Sequence, residues 1–227
     1  MKKVWGLLGA VVVALSLTAC GNSSGAKSSS SSSVKTKKVI KASDNSSKEK
    51  EKPQETKGAL IKPGQFKMDK DQGKVSLVHI YHPTTAIDDK KITIKFADVK
   101  VLKTETNNDS QLNYWSDYWQ DHLTNPYYYL QVDMEVTNQT GQDITLEGIK
   151  AVVFDGRAYS YESVMDTTGG LAVPNNSTTK DAMLTIPIAK DAVDKTDFGF
   201  AFNDIGAGNS PDTFIPAMST VTIDLTK

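Results

Sequence analysis

The residues best able to hold a ligand are concentrated in one stretch, NYWSDYWQDHLTNPYYY, from Asn113 to Tyr129. It contains two of the three tryptophans and five of the eight tyrosines. Flat aromatic rings fill hydrophobic cores well, and they are also enriched at binding hot spots. The stretch therefore predicts one of two structures: an exposed aromatic platform for sugars or a protein partner, or a lid packed on a hydrophobic core.

At helical spacing, this stretch and the residues just before it place four large apolar residues in one stripe. They are Leu112, Trp115, Trp119 and Leu123. The spacing favours a short helix with Ser110 as its N-cap and Asn125-Pro126 as its stop. The tryptophans of such a helix would pack onto a neighbouring sheet, so the pattern favours the lid over the platform.

Four tyrosines are expected to remain outside under either interpretation. Tyr114 and Tyr118 lie off the apolar stripe of the helix. In the predicted strand after the helix, Tyr127 and Tyr129 alternate with the residues expected in the core. Because successive strand residues point to opposite faces, the two tyrosines are expected on the outer face. We therefore predict that Tyr114, Tyr118, Tyr127 and Tyr129 form a recognition patch.

Two carboxylates are the strongest candidates for catalysis. Asp133 and Glu135 share one face of a predicted strand, and glycosidases cleave with two carboxylates that flank the scissile bond. Alternating polar residues are, however, what any exposed strand face shows. The sequence therefore favours a protein without catalytic residues, and a hydrolase of cell-wall glycans is the alternative.

Metal ligands are not grouped in the sequence. His79 and His82 lie three residues apart in a predicted strand, which turns their side chains to opposite faces. The motif DKDQG, Asp69 to Gly73, matches the start of a calcium loop but lacks its later ligands. We expect no metal site and no cofactor.

The N-terminus predicts export and a lipid anchor. Lys2 and Lys3 precede the apolar segment VWGLLGAVVVALS, which is typical of a secretory signal peptide over residues 1–19. The following residues, LTAC and Gly21, resemble the lipobox of bacterial lipoproteins, which implies a lipid on Cys20. Cys20 is the single cysteine, so no intramolecular disulfide can form.

A change of composition predicts a tether over residues 20–70. This segment is rich in serine, lysine and glutamate and has little to bury, so we expect it to be disordered. From Gly21 to Lys70 twelve lysines face five acidic residues, a net charge of +7, whereas residues 71–227 carry twelve basic and twenty-two acidic residues, a net charge of −10. Because residues 71–227 are acidic, nucleic acid is not expected as a partner.

Residues 71–227 show the alternation of apolar and polar residues that is typical of half-buried strands. The clearest case is YLQVDMEV, and in KITIKFADVKVLK the phase slips at Ala97 and Asp98, which predicts a bulge. Asp155-Gly156 predicts a hairpin turn. Seven or more such strands in one domain predict an all-β, antiparallel β-sandwich with the short helix inserted.

Three segments carry a resemblance to a known family: VTNQTG at the end of a strand, then VVFDGRAYSY, then VPNNSTTKDAMLTIPI. Together they resemble the immunoglobulin-like domain of unknown function found in lipoproteins of Gram-positive bacteria, whose fold is related to small secreted mycobacterial antigens. The resemblance covers about residues 92–225. It implies an immunoglobulin-like sandwich and supplies no catalytic signature.

Taken together, these patterns predict a Gram-positive lipoprotein held by lipid on the outer face of the cell membrane. Its domain is expected to act as a non-catalytic module that binds an envelope polymer or a surface protein. A wall glycan hydrolase and an accessory subunit of an envelope complex are the alternatives.

Overall fold

The computed structural model describes residues 53–207, 214–215 and 221–225, which are mostly in β-strands. This confirms the all-β prediction. The strands are β1 Gln54–Glu55, β2 Gln65–Asp69, β3 Gly73–Tyr81, β4 Ala86–Asp89, β5 Ile92–Glu105, β6 Tyr127–Asn138, β7 Ile144–Glu147, β8 Ile149–Phe154, β9 Arg157–Ser160, β10 Met165–Asp166, β11 Gly169–Val173, β12 Ser177–Ile188, β13 Asp197–Phe202, β14 Ile205–Ala207, β15 Phe214–Ile215 and β16 Val221–Asp224. The described residues also contain one α-helix, α1 Asp109–Trp119, and two 3₁₀ turns, Tyr161–Ser163 and Lys190–Ala192.

The strands form one large sheet and two smaller ones. The large sheet has the order β1-β2-β3-β5-β6-β12-β10, and β4 pairs with the first part of β5. The second sheet has the order β11-β7-β14-β15, and the third has the order β16-β13-β8-β9. Within the described ranges, neighbouring strands are antiparallel except for β1 and β2, which are parallel.

Two long strands, β5 and β6, form the centre of the large sheet. Their register shifts between Phe96 and Asp98, which confirms the bulge that the slipped alternation predicts. The extra residue restores the alternation, so that Ile94 and Phe96 before the bulge and Val99 after it are all buried in the same core. The hairpin turn at Asp155-Gly156 is confirmed as well, since it joins the paired strands β8 and β9.

The main hydrophobic core lies between the large sheet and the two smaller sheets. We name this face of the large sheet the core side; on β6 it carries Leu130, Val132, Met134 and Val136, all buried. Phe96 from β5 packs edge-on against Phe200 from β13, with ring centres 5.6 Å apart. Burying this much apolar surface is the main source of stability, since the chain has no disulfide.

A second core lies on the opposite face of the large sheet, which we name the helix side. Tyr127 and Tyr129 alternate with the core-side residues of β6 and therefore point to this face. Helix α1 covers them with Trp115 and Trp119, and the remaining members of this core are Leu60, Val75, Leu77, Leu102 and Leu123. The large sheet is thus packed on both faces, by the helix on one and by the smaller sheets on the other.

The ends of α1 differ from those that the sequence predicts. Asn108, not Ser110, is the N-cap: its side chain accepts a hydrogen bond from the backbone N–H of Gln111. The helix stops at Trp119 because Gln120 takes a left-handed conformation, φ 50° and ψ 38°, several residues before Asn125-Pro126. Asparagine suits the N-cap as well as serine does, so the two candidates were not separable by residue type.

The predicted boundary between tether and domain at residues 70 and 71 is wrong. Strand β2 pairs with β3 from Phe66 to Asp69, and β1 pairs with β2, so the folded part includes residues 54–69. Leu60 is buried in the helix-side core. These strands were not predicted because the segment is rich in lysine and has little apolar periodicity. Backbone hydrogen bonds are the main contacts that hold them, and such bonds leave little periodicity in the sequence.

Residues 1–52 lie outside the described residues, and with them the predicted signal peptide, Cys20 and most of the predicted tether. No helix in the described ranges is long and apolar enough to cross a membrane.

The helix-side core should depend strongly on Trp119, which is 1% exposed. Trp119→Ala is expected to lower the free energy of unfolding by about 3–5 kcal/mol, because it removes a large buried ring and leaves a cavity. Urea denaturation followed by far-ultraviolet circular dichroism measures the change. Tyr114→Ala, on the exposed face of the same helix, is the control and should cost about 0.5 kcal/mol or less; equal losses for the two variants would contradict the described packing.

Candidate functional site: an aromatic helix face beside a polar cleft

The two tryptophans of α1 are buried, as the helical spacing favours. Trp119 is 1% exposed and Trp115 is 8% exposed, with ring centres 5.2 Å apart. Trp119 also lies 5.8 Å from the ring of Tyr127 and 5.5 Å from that of Tyr129. The helix is thus fixed to the sheet by a cluster of four rings, and the tryptophans are not a free platform.

Two members of the predicted tyrosine patch are not at the surface. Tyr127 is 3% exposed and Tyr129 is 5% exposed. The face of β6 on which they lie was predicted correctly, since both side chains point away from the main core. The helix lies on that face, however, and covers them. The patch therefore cannot include Tyr127 or Tyr129 as contact residues.

Burial also changes the acidity of these two phenols. Loss of hydration raises the pKa of Tyr127 to about 12, against a smaller lowering effect of the Thr104 hydroxyl. Burial raises the pKa of Tyr129 still further above its ordinary value. Both phenols are neutral at physiological pH and act as packing groups, and the Tyr129 hydroxyl donates a 3.4 Å hydrogen bond to Oε1 of Gln72.

The other two members of the patch are exposed, as predicted. Tyr114 is 59% exposed and Tyr118 is 43% exposed. Their ring centres lie 6.3 Å apart with 32° between the ring planes, and both rings contact the edge or face of Trp115 beneath them, at 5.3 and 5.7 Å. We name Tyr114 and Tyr118 the aromatic helix face; it is an exposed surface whose support is buried and rigid.

A cleft of about 680 Å³ lies directly beside Tyr114, between the first half of α1 and the turn that joins β2 to β3. Seven of its nine lining residues are polar or charged, and the other two are aromatic. The lining residues are Asp69, Lys70, Asp71, Gln72, Asn108, Ser110, Gln111, Tyr114 and Trp115. An exposed ring next to carboxylate, amide and hydroxyl groups can contact an apolar surface of a ligand and bind its polar groups at the same time.

Hydrogen bonds hold the two walls of the cleft together. Gln111 Nε2 donates to the backbone oxygen of Lys70 at 2.8 Å, and Trp115 Nε1 donates to that of Asp71 at 3.3 Å. The turn is closed by Asp69, whose Oδ1 accepts from the backbone N–H groups of Asp71 and Gln72 at 2.9 and 3.0 Å. The cleft is therefore formed before a ligand arrives, which lowers the entropic cost of binding.

The same hydrogen bonds explain the motif DKDQG. Asp69 uses its carboxylate to close a tight turn, a common role for aspartate in loops. Among the described residues no group of three or more histidine, aspartate and glutamate side chains is arranged to hold a metal ion.

The candidate catalytic carboxylates lie on the helix side of β6 and are each paired with a lysine. Asp133 accepts a hydrogen bond from Lys100 Nζ at 2.7 Å, and Glu135 lies 2.6 Å from Lys180 Nζ. The hydrogen bond from Lys180 lowers the pKa of Glu135. Glu135 is thus held in its ionised form, which is unsuited to donating a proton to a leaving group.

The histidines have separate partners. His79 Nε2 lies 2.9 Å from Asp194 Oδ1, and His82 Nδ1 lies 2.8 Å from Asp98 Oδ1. His79 lies in β3, whereas His82 follows the last residue of that strand, Tyr81.

Gln72, Asn108 and Gln111 belong to the site, although local sequence patterns did not indicate it. Gln111 meets the turn across 41 residues of sequence. One signal could have located the start of the helix, because an asparagine directly before an acidic first turn is a good N-cap. No comparable signal marks the turn as its neighbour.

The buried phenols predict loss of stability in alkali. An unfolded tyrosine ionises near pH 10, whereas the pKa of Tyr127 in the folded chain is about 12. The stabilising contribution of the neutral phenol is therefore complete below pH 10 and is lost as the pH rises from 10 through 12. Tyr127→Phe should shift the alkaline midpoint of unfolding upward, measured by circular dichroism against pH, while the same variant at pH 7 reports any general change of stability. An unchanged alkaline midpoint would contradict the burial of this hydroxyl.

Comparisons with known proteins add little to this site. No protein-family model matches the chain, and no curated protein sequence matches it. Among solved structures, the chain is similar to a functionally unknown protein from Listeria monocytogenes EGD-e, with 11% sequence identity and a TM-score of 0.42 over 66% of this chain and 86% of that one. A likeness at this level assigns neither the detailed fold nor a function to this chain.

Proposed function

We propose that this chain is a lipoprotein of a Gram-positive cell envelope and that its folded part is an immunoglobulin-like β-sandwich that binds a ligand without catalysis. The aromatic helix face and the adjoining cleft form the binding surface. The ligand is an envelope polymer or a surface protein.

One observation carries the binding proposal: two tyrosine rings are exposed on a helix whose opposite side is fixed by buried tryptophans. Tyr114 and Tyr118 offer large, flat contact areas with few rotatable bonds. Trp115 supports both rings from below, and Gln111 ties the helix to the turn that forms the other wall. A preformed aromatic surface on a rigid element is what a precise binding site needs.

The immunoglobulin-like assignment is supported by the main core. It is enclosed between the large sheet and the two smaller sheets, which is the layer arrangement of a β-sandwich. The strands that match the resemblance, from β5 to β16, supply most of this core.

The non-catalytic assignment is supported by the charges around Asp133 and Glu135. A glycosidase needs one carboxyl group that is protonated when the substrate binds. Here a lysine pairs with each carboxylate, at 2.7 Å for Asp133 and 2.6 Å for Glu135. Both groups are better explained as partners in a ladder of ion pairs on a half-buried part of the helix side.

The anchor is proposed at Cys20, with residues up to the start of β1 as the tether. Attached acyl chains each contribute about 0.8 kcal/mol per buried CH₂, so two or more hold a protein firmly on a bilayer. Lysines close to the membrane add attraction to anionic lipids. The acidic domain would be held at a distance from the same surface.

The binding surface can be tested with purified Gram-positive cell envelope. Tyr114→Ala combined with Tyr118→Ala should weaken saturable binding of the chain to envelope sediment about tenfold or more, because hot-spot aromatics carry much of the binding energy. Val153→Ala is the matched control, since Val153 is 42% exposed and lies on the third sheet. Equal binding by the double variant and the wild type would exclude the aromatic helix face as the binding surface.

The anchor can be tested by metabolic labelling with a radioactive fatty acid in a Gram-positive host. Wild-type chain should incorporate the label and remain with the membrane fraction, whereas Cys20→Ser should do neither, because the thioether to the lipid cannot form. Substitution of Ser23 by alanine in the same region is the control and should leave labelling unchanged. Labelled Cys20→Ser protein would place the lipid elsewhere.

A further inference from the structure

We propose that the cleft beside Tyr114 takes a neutral glycan chain, a proposal that rests on the proposed binding function and names its ligand. The class of ligand follows from three properties of the site: the spacing of its rings, the chemistry of its polar lining and the sign of its charge.

The rings suit a chain of flat, repeating units. Tyr114 and Tyr118 are four residues apart on α1, which places them about one helical turn, roughly 6 Å, apart along the axis. The observed separation of the ring centres is 6.3 Å, with the planes 32° apart. Sugar rings present faces of C–H groups that pack on aromatic rings, and two rings in series can contact neighbouring units of one chain.

The polar lining suits hydroxyl and acetamido groups. Asp71, Gln72 and Asn108 line the cleft together with the Ser110 hydroxyl. Carboxylates accept from sugar hydroxyls, while side-chain amides both donate and accept, so the lining can satisfy groups that carry a donor and an acceptor on the same atom. Trp115 contributes an apolar patch to the same wall.

The charge disfavours anionic polymers. Asp69 and Asp71 line the cleft, and among the described lining residues Lys70 is the one cation, 3.8 Å from Asp71. Asp109 and Asp117 add negative charge on the helix that forms the wall. Polymers that carry phosphate or carboxylate in each repeat would meet like charges, which suppresses the wrong partner.

The carboxylates are also poorly placed for a basic peptide. Asp69 uses Oδ1 for two backbone N–H groups of its own turn, and Asp71 is 72% exposed next to Lys70. A new ion pair with such an exposed, partly paired carboxylate adds little to affinity, because the Coulomb attraction is offset by the entropy lost when two side chains are ordered. The contact area of the tyrosines must then supply most of the binding energy. A neutral glycan can pack on this area without bringing an unpaired charge into the site.

The test uses the full-length chain in detergent micelles and isothermal titration with three probes. They are a neutral hexamer of N-acetylglucosamine, polyglycerol phosphate and an oligolysine peptide. The neutral hexamer should bind saturably, polyglycerol phosphate should not, and Tyr114→Ala should weaken binding of the neutral hexamer about tenfold or more. Tyr114→Phe keeps the ring and should retain affinity within about threefold.

The outcomes separate this proposal from the proposed binding function. If the neutral hexamer does not bind, or binds Tyr114→Ala as well as wild type, the glycan assignment is overturned. If oligolysine or polyglycerol phosphate binds instead and the loss follows Tyr114, the aromatic helix face is a binding surface for another class of ligand. If envelope sediment also binds independently of Tyr114 and Tyr118, both proposals fail. Val153→Ala, with an unchanged unfolding midpoint, is the control throughout.

Discussion

The packing of α1 against the helix side of β5 and β6 is the constraint on which the rest of the site depends. Trp115 and Trp119 occupy a face that would otherwise expose Leu102, Tyr127 and Tyr129 to water. Covering that face fixes the height and rotation of the helix over the sheet. The fixed rotation leaves Tyr114 and Tyr118 outside and brings Gln111 within hydrogen-bonding distance of the turn before β3.

The central strands serve two cores at once. On β6, Tyr129 points into the helix-side core and Leu130 into the main core. Unpairing this strand would therefore remove the support of both layers. A domain without disulfides gains cooperativity from this shared use of strands.

Much of the fold could be predicted because a strand has a fixed period of two. The alternation in β5 and β6 predicted both strands and the bulge near Ala97. Periodicity gives the side of a sheet on which a residue lies, but not what covers that side. The burial of Tyr127 and Tyr129 was missed for this reason, although the spacing of the tryptophans predicted a helix that needed a surface to cover.

The cleft was beyond the reach of local patterns. Its two walls are separated by about forty residues of sequence and meet through contacts such as that between Gln111 and Lys70. Strands β1 and β2 were missed because backbone pairing, rather than apolar side chains, holds them to the sheet. Backbone pairing of this kind leaves almost no trace in residue order.

The segment that follows α1 is linked to the third sheet through the side chain of Arg157. Arg157 Nη2 donates to Asp121 Oδ2 at 2.8 Å, and the guanidinium lies 4.7 Å from the ring centre of Tyr159. Arg157 thus connects the β8–β9 hairpin to the segment that follows α1. Displacement of that segment would disturb the Arg157 contacts, so an isotope or spin label on β9 would report on the helix side from the opposite layer.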